Sequence, residues 1–175
     1  KLPDAIRKDL YSYTAGMIDS DGYITMDSNF NPRIAITATG DRGKAFCVEL
    51  QKELGIGKLH LDQKSPQDTR SVQRLAFYSQ SDIGELLSKC GHHLRMKGAQ
   101  SDALLEVIRI KKDFKREDWA KERILQLFKI IKYENHKDAA NTWEFDKYNI
   151  DPTEIAKYKE NNRMLYMDKS EGIKI

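Results

Sequence analysis

The stretch "YTAGMIDSDGYI", residues 13 to 24, changes hydrophobic period within a few residues. Ahead of its acids, Ile6, Leu10, Tyr13 and Met17 recur at helical spacing, which predicts a helix over residues 4 to 19, with Asp4 after Pro3 as its N-terminal acid. Behind them, Ile24 and Met26, then Ile34 and Ile36, alternate with other residues, which predicts two strands joined by a turn at Asn29 to Pro32. Gly22 is the stop between the two regimes. A chain patterned this way lays a finished helix directly against the hairpin that follows, with Asp19 and Asp21 at the junction.

The same alternation of period repeats downstream. "DRGKAFCVELQKELGIG" returns to helical spacing through Phe46, Leu50 and Leu54 and closes at Gly55. "KLHLD", the polar loop "QKSPQD" and "RSVQRLAFYS" predict a second hairpin. "SDIGELLSKCG" follows as a helix capped by Ser81 or Asp82. After "HHLRMKG", a longer helix from about Ala99 to Phe114 is buried through Leu104, Leu105 and Ile108. The order is αββαββα, an α+β class with antiparallel hairpins packed on helices. Residues 1–114 are expected to form this core. Residues 115–175 are expected to be a helical extension packed on it, with a helix in "DWAKERILQLFKIIKYEN" and a short one near Pro152 to Lys159.

Asp19 and Asp21 stand where negative charge is least welcome. A helix C-terminus carries unpaired carbonyls and roughly half a negative charge. Carboxylates beside free carbonyls form an all-oxygen site for a hard cation, and so few ligands suit Mg²⁺, with Ca²⁺ or Mn²⁺ as substitutes. An ordinary Asp-Gly turn, with the acids bonding nearby backbone, explains the same residues. An EF-hand loop does not, because it would put Met17 and Ser28 where Asp and Glu are required. A phosphate-binding turn is disfavoured because the acids repel an anion. Ser12, Ala15 and Gly16 add a narrow strip of small residues that lets another helix approach closely. If that helix is the same one from a second subunit, two-fold symmetry joins both Asp21 carboxylates in a paired-metal site for phosphodiester displacement.

"TAGMIDSDG" (Thr14 to Gly22) resembles the signature of the LAGLIDADG homing endonucleases, with Thr14, Met17 and Ser20 as substitutions. The element order, "ELGIG" and "LRMKGAQSDALL" resemble the same family, over roughly residues 5 to 112. The resemblance implies a saddle of antiparallel strands in the DNA major groove and paired motif helices as the subunit interface, through Ser12, Ala15, Gly16 and Asp19. One motif per chain implies a homodimer on a long, pseudo-palindromic double-stranded DNA site, promoting spread of an intron or intein. It further implies Asp21 as the metal ligand, helped by the Ser20 carbonyl, a capping part for Asp19, and Lys97 of "LRMK" as the basic residue supporting the active site. Family members often carry Gln at the end of the second strand; here Ala38 or Thr39 stands there, with Arg42 or Lys44 as the nearby basic group. A non-cutting binder on the same scaffold (an RNA maturase or a regulator) and a Ca²⁺-dependent interaction module are the alternatives.

Strand alternation assigns the outward face. On the first hairpin it takes Tyr23, Thr25, Asp27 and Asn29, then Asn31, Arg33, Ala35 and Thr37. On the second it takes Lys58, His60 and Asp62, opposed by Leu59 and Leu61 within, then Arg70, Arg74 and Tyr78. The loops "DSNFNPR" and "DQKSPQDTR" would reach outward along the groove, the latter with Gln63, Lys64, Gln67 and Arg70. Arg, Asn, Gln and Asp are the groups that read base edges. From Lys89 to Lys137 there are 13 Lys and Arg against 7 Asp and Glu, a local excess suited to phosphate. No apolar run approaches the ~20 residues needed to span a bilayer, and Cys47 and Cys90 lack metal-type spacing. The expectation is an intracellular protein with no membrane partner and no small-molecule cofactor.

Overall fold

The computed structural model describes residues 2–62, 72–138 and 143–160. Helix α1 (Asp4–Lys8) leads into α2 (Leu10–Asp21), then the hairpin β1 (Gly22–Met26) and β2 (Pro32–Thr39). Helix α3 (Gly40–Leu54) connects to β3 (Lys58–Asp62) and β4 (Val72–Phe77), followed by α4 (Gln80–Cys90) and α5 (Gly98–Asp113). Helices α6 (Asp118–His136) and α7 (Trp143–Tyr148) come after, and residues 152–160 are helical. The four strands form one antiparallel sheet in the order β1-β2-β4-β3. This is the expected α+β architecture with its αββαββα order.

One sheet face is the core. Ile24, Met26, Ile34, Ile36, Leu75 and Phe77 are fully buried against apolar residues of the helices, among them Ile18, Leu50, Ile83, Leu86 and Leu104. Period two in the strands and period 3.6 in the helices place one stripe of each inside. The caps follow local chemistry: Gly55 takes the left-handed conformation (φ 72°) that closes α3, and Ser79 Oγ accepts from the Asp82 amide at the start of α4. The cap of α4 is therefore Ser79, not Ser81 or Asp82, because the helix begins earlier than its apolar pattern.

The first helix is not continuous. It breaks at Asp9 (φ −115°, ψ 38°), and Leu2, ahead of α1, is buried in the core. Helix α2 then runs on through Asp21, and Gly22 opens β1 with no intervening turn. A Cβ on Gly22 would stand 2.7 Å from the Ile18 Cα and 2.8 Å from the Ala35 carbonyl oxygen. Only glycine lets the helix end pass this close to β2, so the residue fixes the junction by its size. The tail also differs from expectation, since α7 adds a helix between α6 and residues 152–160.

The tip of the first hairpin is an ordered turn between Met26 and Pro32. Asp27 Oδ1 accepts the amides of Asn29 (2.9 Å) and Asn31 (3.0 Å), while Oδ2 accepts from the Asn31 side chain (3.3 Å) and Arg33 (2.9 Å). Phe30 sits at φ 60°, an uncommon conformation for a bulky side chain, and its ring meets Phe128 of α6 edge-on at 5.2 Å. Lys111 Nζ donates to the Phe30 carbonyl at 2.6 Å. The tip is thus held against α5 and α6 rather than reaching freely outward, because its one aromatic residue finds apolar cover there.

Two expected outcomes follow from this packing. Gly22→Ala lowers the unfolding free energy by about 1–3 kcal/mol, the usual cost of overpacking against backbone, readable as a lower urea midpoint at unchanged m. Burial alone would raise the Asp27 pKa, but the bonds from Asn31, Asn29 and Arg33 outweigh it and hold it below the ordinary 3.8. Its stabilisation is therefore complete above that value, and fades as pH falls through the folded-state pKa. The stability gap between wild type and Asp27→Ala, measured by urea unfolding across pH 2 to 7, narrows on the acid side.

Candidate active site at the foot of the second helix

The last turn of α2 meets the segment that leads into α5. The Asp19 carboxylate accepts the Arg95 amide at 2.7 Å through Oδ2 and the Lys97 amide at 3.0 Å through Oδ1. Lys97 returns the contact, with its ammonium donating to the Asp19 carbonyl at 2.5 Å. From β2, the Thr37 hydroxyl donates to the Asp21 carbonyl at 2.7 Å. Two orphan carbonyls of the helix end are thereby capped, one by a cation that also opposes the helix dipole. The Ser20 carbonyl between them receives no side-chain donor among the described residues.

Asp21 is left differently. Its carboxylate is exposed, and among the described residues the Ser20 hydroxyl at 3.3 Å is its one hydrogen-bond partner. Burial pulls the Lys97 ammonium below the usual lysine range, and the charges of Asp19 and Asp21 partly restore it. The site thus brings to one helix end an exposed carboxylate, a carbonyl with no side-chain donor among the described residues, and a partly desolvated cation. These hard oxygens suit a Mg²⁺-like ion, but no group of three or more His, Cys, Asp or Glu gathers among the described residues.

Arg42 and Lys44 are exposed on the first turn of α3, and neither meets Asp21 or Lys97 in the described hydrogen bonds and ion pairs. A glutamine does stand beside Ala38, on the neighbouring strand: Gln73 is its register partner on β4. Gln73 is buried and its amide donates to the His60 carbonyl at 2.6 Å, so it is occupied within the sheet. Nothing in its local sequence signals that pairing, which depends on strand register.

On α2, Ser12, Gly16 and Ser20 are exposed at successive intervals of four residues, and a Cβ at Gly16 would meet nothing within 4 Å. Ala15 is a correction to the expected strip: it is fully buried, because helical spacing sets it beside Ile18 on the core side. Asp19 is likewise half-buried, with both carboxylate oxygens taken by residues 95 and 97.

The outer sheet face carries most of the expected polar groups. Register aligns Thr25 with Arg33, Thr37 with Arg74 and His60, and Tyr23 with Ala35, Ala76 and Lys58. Ala35 is a correction, fully buried although its parity points outward, between Tyr23 and Ala76 in the sheet register. Leu61 is another: it is 56% exposed although its parity points inward, since β3 is an edge strand whose end extends past the core. Asp27 and Asn31 belong to the hairpin turn, and Thr37 caps Asp21, so each has a structural task on top of its place on the face. The Arg33 guanidinium lies 5.7 Å from the centre of the Tyr78 ring, which meets His60 edge-on at 5.6 Å. Asn29 is exposed at the tip. Gln63, Lys64, Gln67 and Arg70 lie outside the described residues, as does the Asp62 side chain.

No protein-family profile matches the chain, and no curated protein sequence does. Solved structures do match. I-Vdi141I, an archaeal intron-encoded homing endonuclease complexed with DNA, superposes with a TM-score of 0.60 at 15% identity, covering 87% of this chain and 98% of that one. The homing endonuclease I-CvuI, in complex with its target in the presence of Ca, gives 0.55 at 17% identity over 83% and 98%. The LAGLIDADG meganuclease I-AabMI, bound to uncleaved DNA, gives 0.52 at 14% identity over 67% of this chain and 43% of that one. The fold is that of the LAGLIDADG homing endonucleases. On the LAGLIDADG frame, the motif helix is α2, and Asp21 with Gly22 closes it. Among the described residues, no helix is long and apolar enough to cross a membrane.

The Asp19 contacts make a measurable demand. Asp19→Ala leaves the Arg95 and Lys97 amides without their acceptor, and costs about 2–4 kcal/mol by the usual penalty for two charge-assisted bonds. Chemical denaturation reads it directly; a loss under 0.5 kcal/mol contradicts the bracing role.

Proposed function

We propose that this chain is a metal-dependent, site-specific endonuclease that cuts both strands of a long, pseudo-palindromic DNA as a homodimer. The observation that carries the reading is the division of labour at the foot of α2. Asp19, Lys97 and Thr37 cap and brace the helix end within one chain, while Asp21 keeps an exposed carboxylate to which no cation among the described residues is bonded. An acid left this way at a negative helix pole calls for a cation from outside.

Asp21 and the Ser20 carbonyl would hold a divalent cation, Mg²⁺ with Ca²⁺ or Mn²⁺ as substitutes. When bound, that ion supplies an activated water and Lewis-acid stabilisation of phosphodiester displacement. Lys97 is held by its own amide and ammonium to Asp19, so its charge is fixed in place before substrate arrives. It offsets negative charge developing at the scissile phosphate without reorganising. The outer sheet face supplies the DNA surface, with Arg33, Lys58, His60, Arg74 and Tyr78 as base-edge and phosphate contacts.

One further point favours two copies. The exposed strip of Ser12, Gly16 and Ser20 gives a second α2 room for close approach, which would bring both Asp21 groups together. The occupied amide of Gln73, and Ala38 in place of a solvent-ordering Gln, favour as second reading a protein that binds nucleic acid without cutting.

Selection from a randomised plasmid library with Mg²⁺ tests the reading. Wild type linearises a discrete set of sites, and EDTA abolishes it. On the selected site, Asp21→Asn and Lys97→Met each lose about 10²-fold or more in rate, with duplex affinity in EDTA within threefold of wild type. Gly16→Leu stays folded but halves the mass seen by light scattering. Binding without cutting supports the second reading, and a monomer that cuts both strands contradicts the homodimer.

A further inference from the structure

Helix α6 touches both halves of the candidate site through one side chain. Asn135 Nδ2 donates to the Ile24 carbonyl on β1 at 2.9 Å, and Asn135 Oδ1 accepts from Gln100 Nε2 on α5 at 3.2 Å. Ile24 lies three residues beyond Asp21 in β1, and Gln100 three beyond Lys97 in the first turn of α5. Asn135 is 111 residues from one partner and 35 from the other in sequence. β1 is an edge strand, so the Ile24 carbonyl is a group the sheet itself leaves open.

The bridge is set in a rigid frame. Gln100 is 3% exposed, and α5 packs along α6 through Leu104 and Val107 on one side and Leu127, Phe128 and Ile131 on the other. The neighbouring Glu134 is held by Lys137 at 2.9 Å and by Lys159 of the terminal helix. Asp19 already ties the backbone at Lys97 to α2. What that tie does not fix is the spacing between the strand leaving Asp21 and the helix leaving Lys97.

We propose that Asn135 is a positioning residue that sets this spacing, so that helix α6 belongs to the working site although it contacts no reacting group. The proposal rests on the nuclease reading for its catalytic consequence, but its structural core does not. Gln100 Oε1 is buried without a hydrogen-bond partner among the described residues, so Gln100→Leu removes one arm of the bridge and that oxygen together. Asn135→Leu removes both arms and orphans the Ile24 carbonyl. A misplacement of about 1 Å at a reacting centre costs about 10²-fold in rate.

Two readouts test this on the full-length chain. The first is hydrogen exchange in the protein alone, without DNA or metal. In Asn135→Leu, the Arg95 and Lys97 amides and those of β1 exchange at least tenfold faster, while β2 and β4 keep wild-type protection; Gln100→Leu gives a smaller change at the same amides. The second is single-turnover cleavage at saturating DNA. Asn135→Leu slows it by tenfold or more, while duplex affinity in EDTA stays within threefold. Unchanged exchange at residues 95 and 97, or loss of protection spread evenly through the sheet, overturns the proposal. So does a cleavage rate equal to wild type. If wild type cuts no DNA but the exchange pattern appears, the nuclease reading fails and the bridge stands. Should Asn135→Leu not fold, the Gln100→Leu exchange pattern decides by itself.

Discussion

The Asp19 carboxylate is the contact on which the rest of the site depends. It joins the end of α2 to backbone amides more than seventy residues away, and so carries Lys97 to the place where α2, β1 and β2 converge. A carboxylate at a helix C-terminus is unfavourable in isolation. Here two amide donors and the returning lysine offset that cost. The same arrangement separates the roles of two acids two residues apart. Asp19 is satisfied within the chain and braces the helix end, whereas Asp21 is presented to solvent.

Much of this frame is legible in the sequence because it rests on periodicity. Four switches between helical and strand spacing give the element order, and strand parity assigns most of the outer face. Asp21 and Lys97 are singled out by the family resemblance rather than by periodicity. What is not legible comes from partners distant in sequence or from neighbours' size. The break at Asp9 has no glycine or proline to announce it. Ala35 is hidden against its strand parity, and Leu61 is bare on the edge strand β3. The capping hydroxyl of Thr37 and the occupied amide of Gln73 depend on which strand lies alongside, which no local pattern encodes.

Resemblance at 14–17% identity places the architecture and leaves the side chains to speak for themselves. Within that architecture, helix α6 lies along one sheet edge. It covers the β1 side through Asn135 and holds the hairpin tip through Phe128, while among the described residues no strand pairs with the other side of β3. The exposed strip of Ser12, Gly16 and Ser20 runs along α2 to its end beside Asp21.

The central claim is that one chain carries half of a cation site, completed by a second copy against α2. The most direct measurement is a crystal structure of the protein with its selected duplex and Ca²⁺. The account predicts two copies in contact along Ser12, Gly16 and Ser20, with both Asp21 carboxylates ligating cations at the scissile phosphates. A complex with the α2 strips apart, or with Asp21 remote from any cation or phosphate, would contradict it.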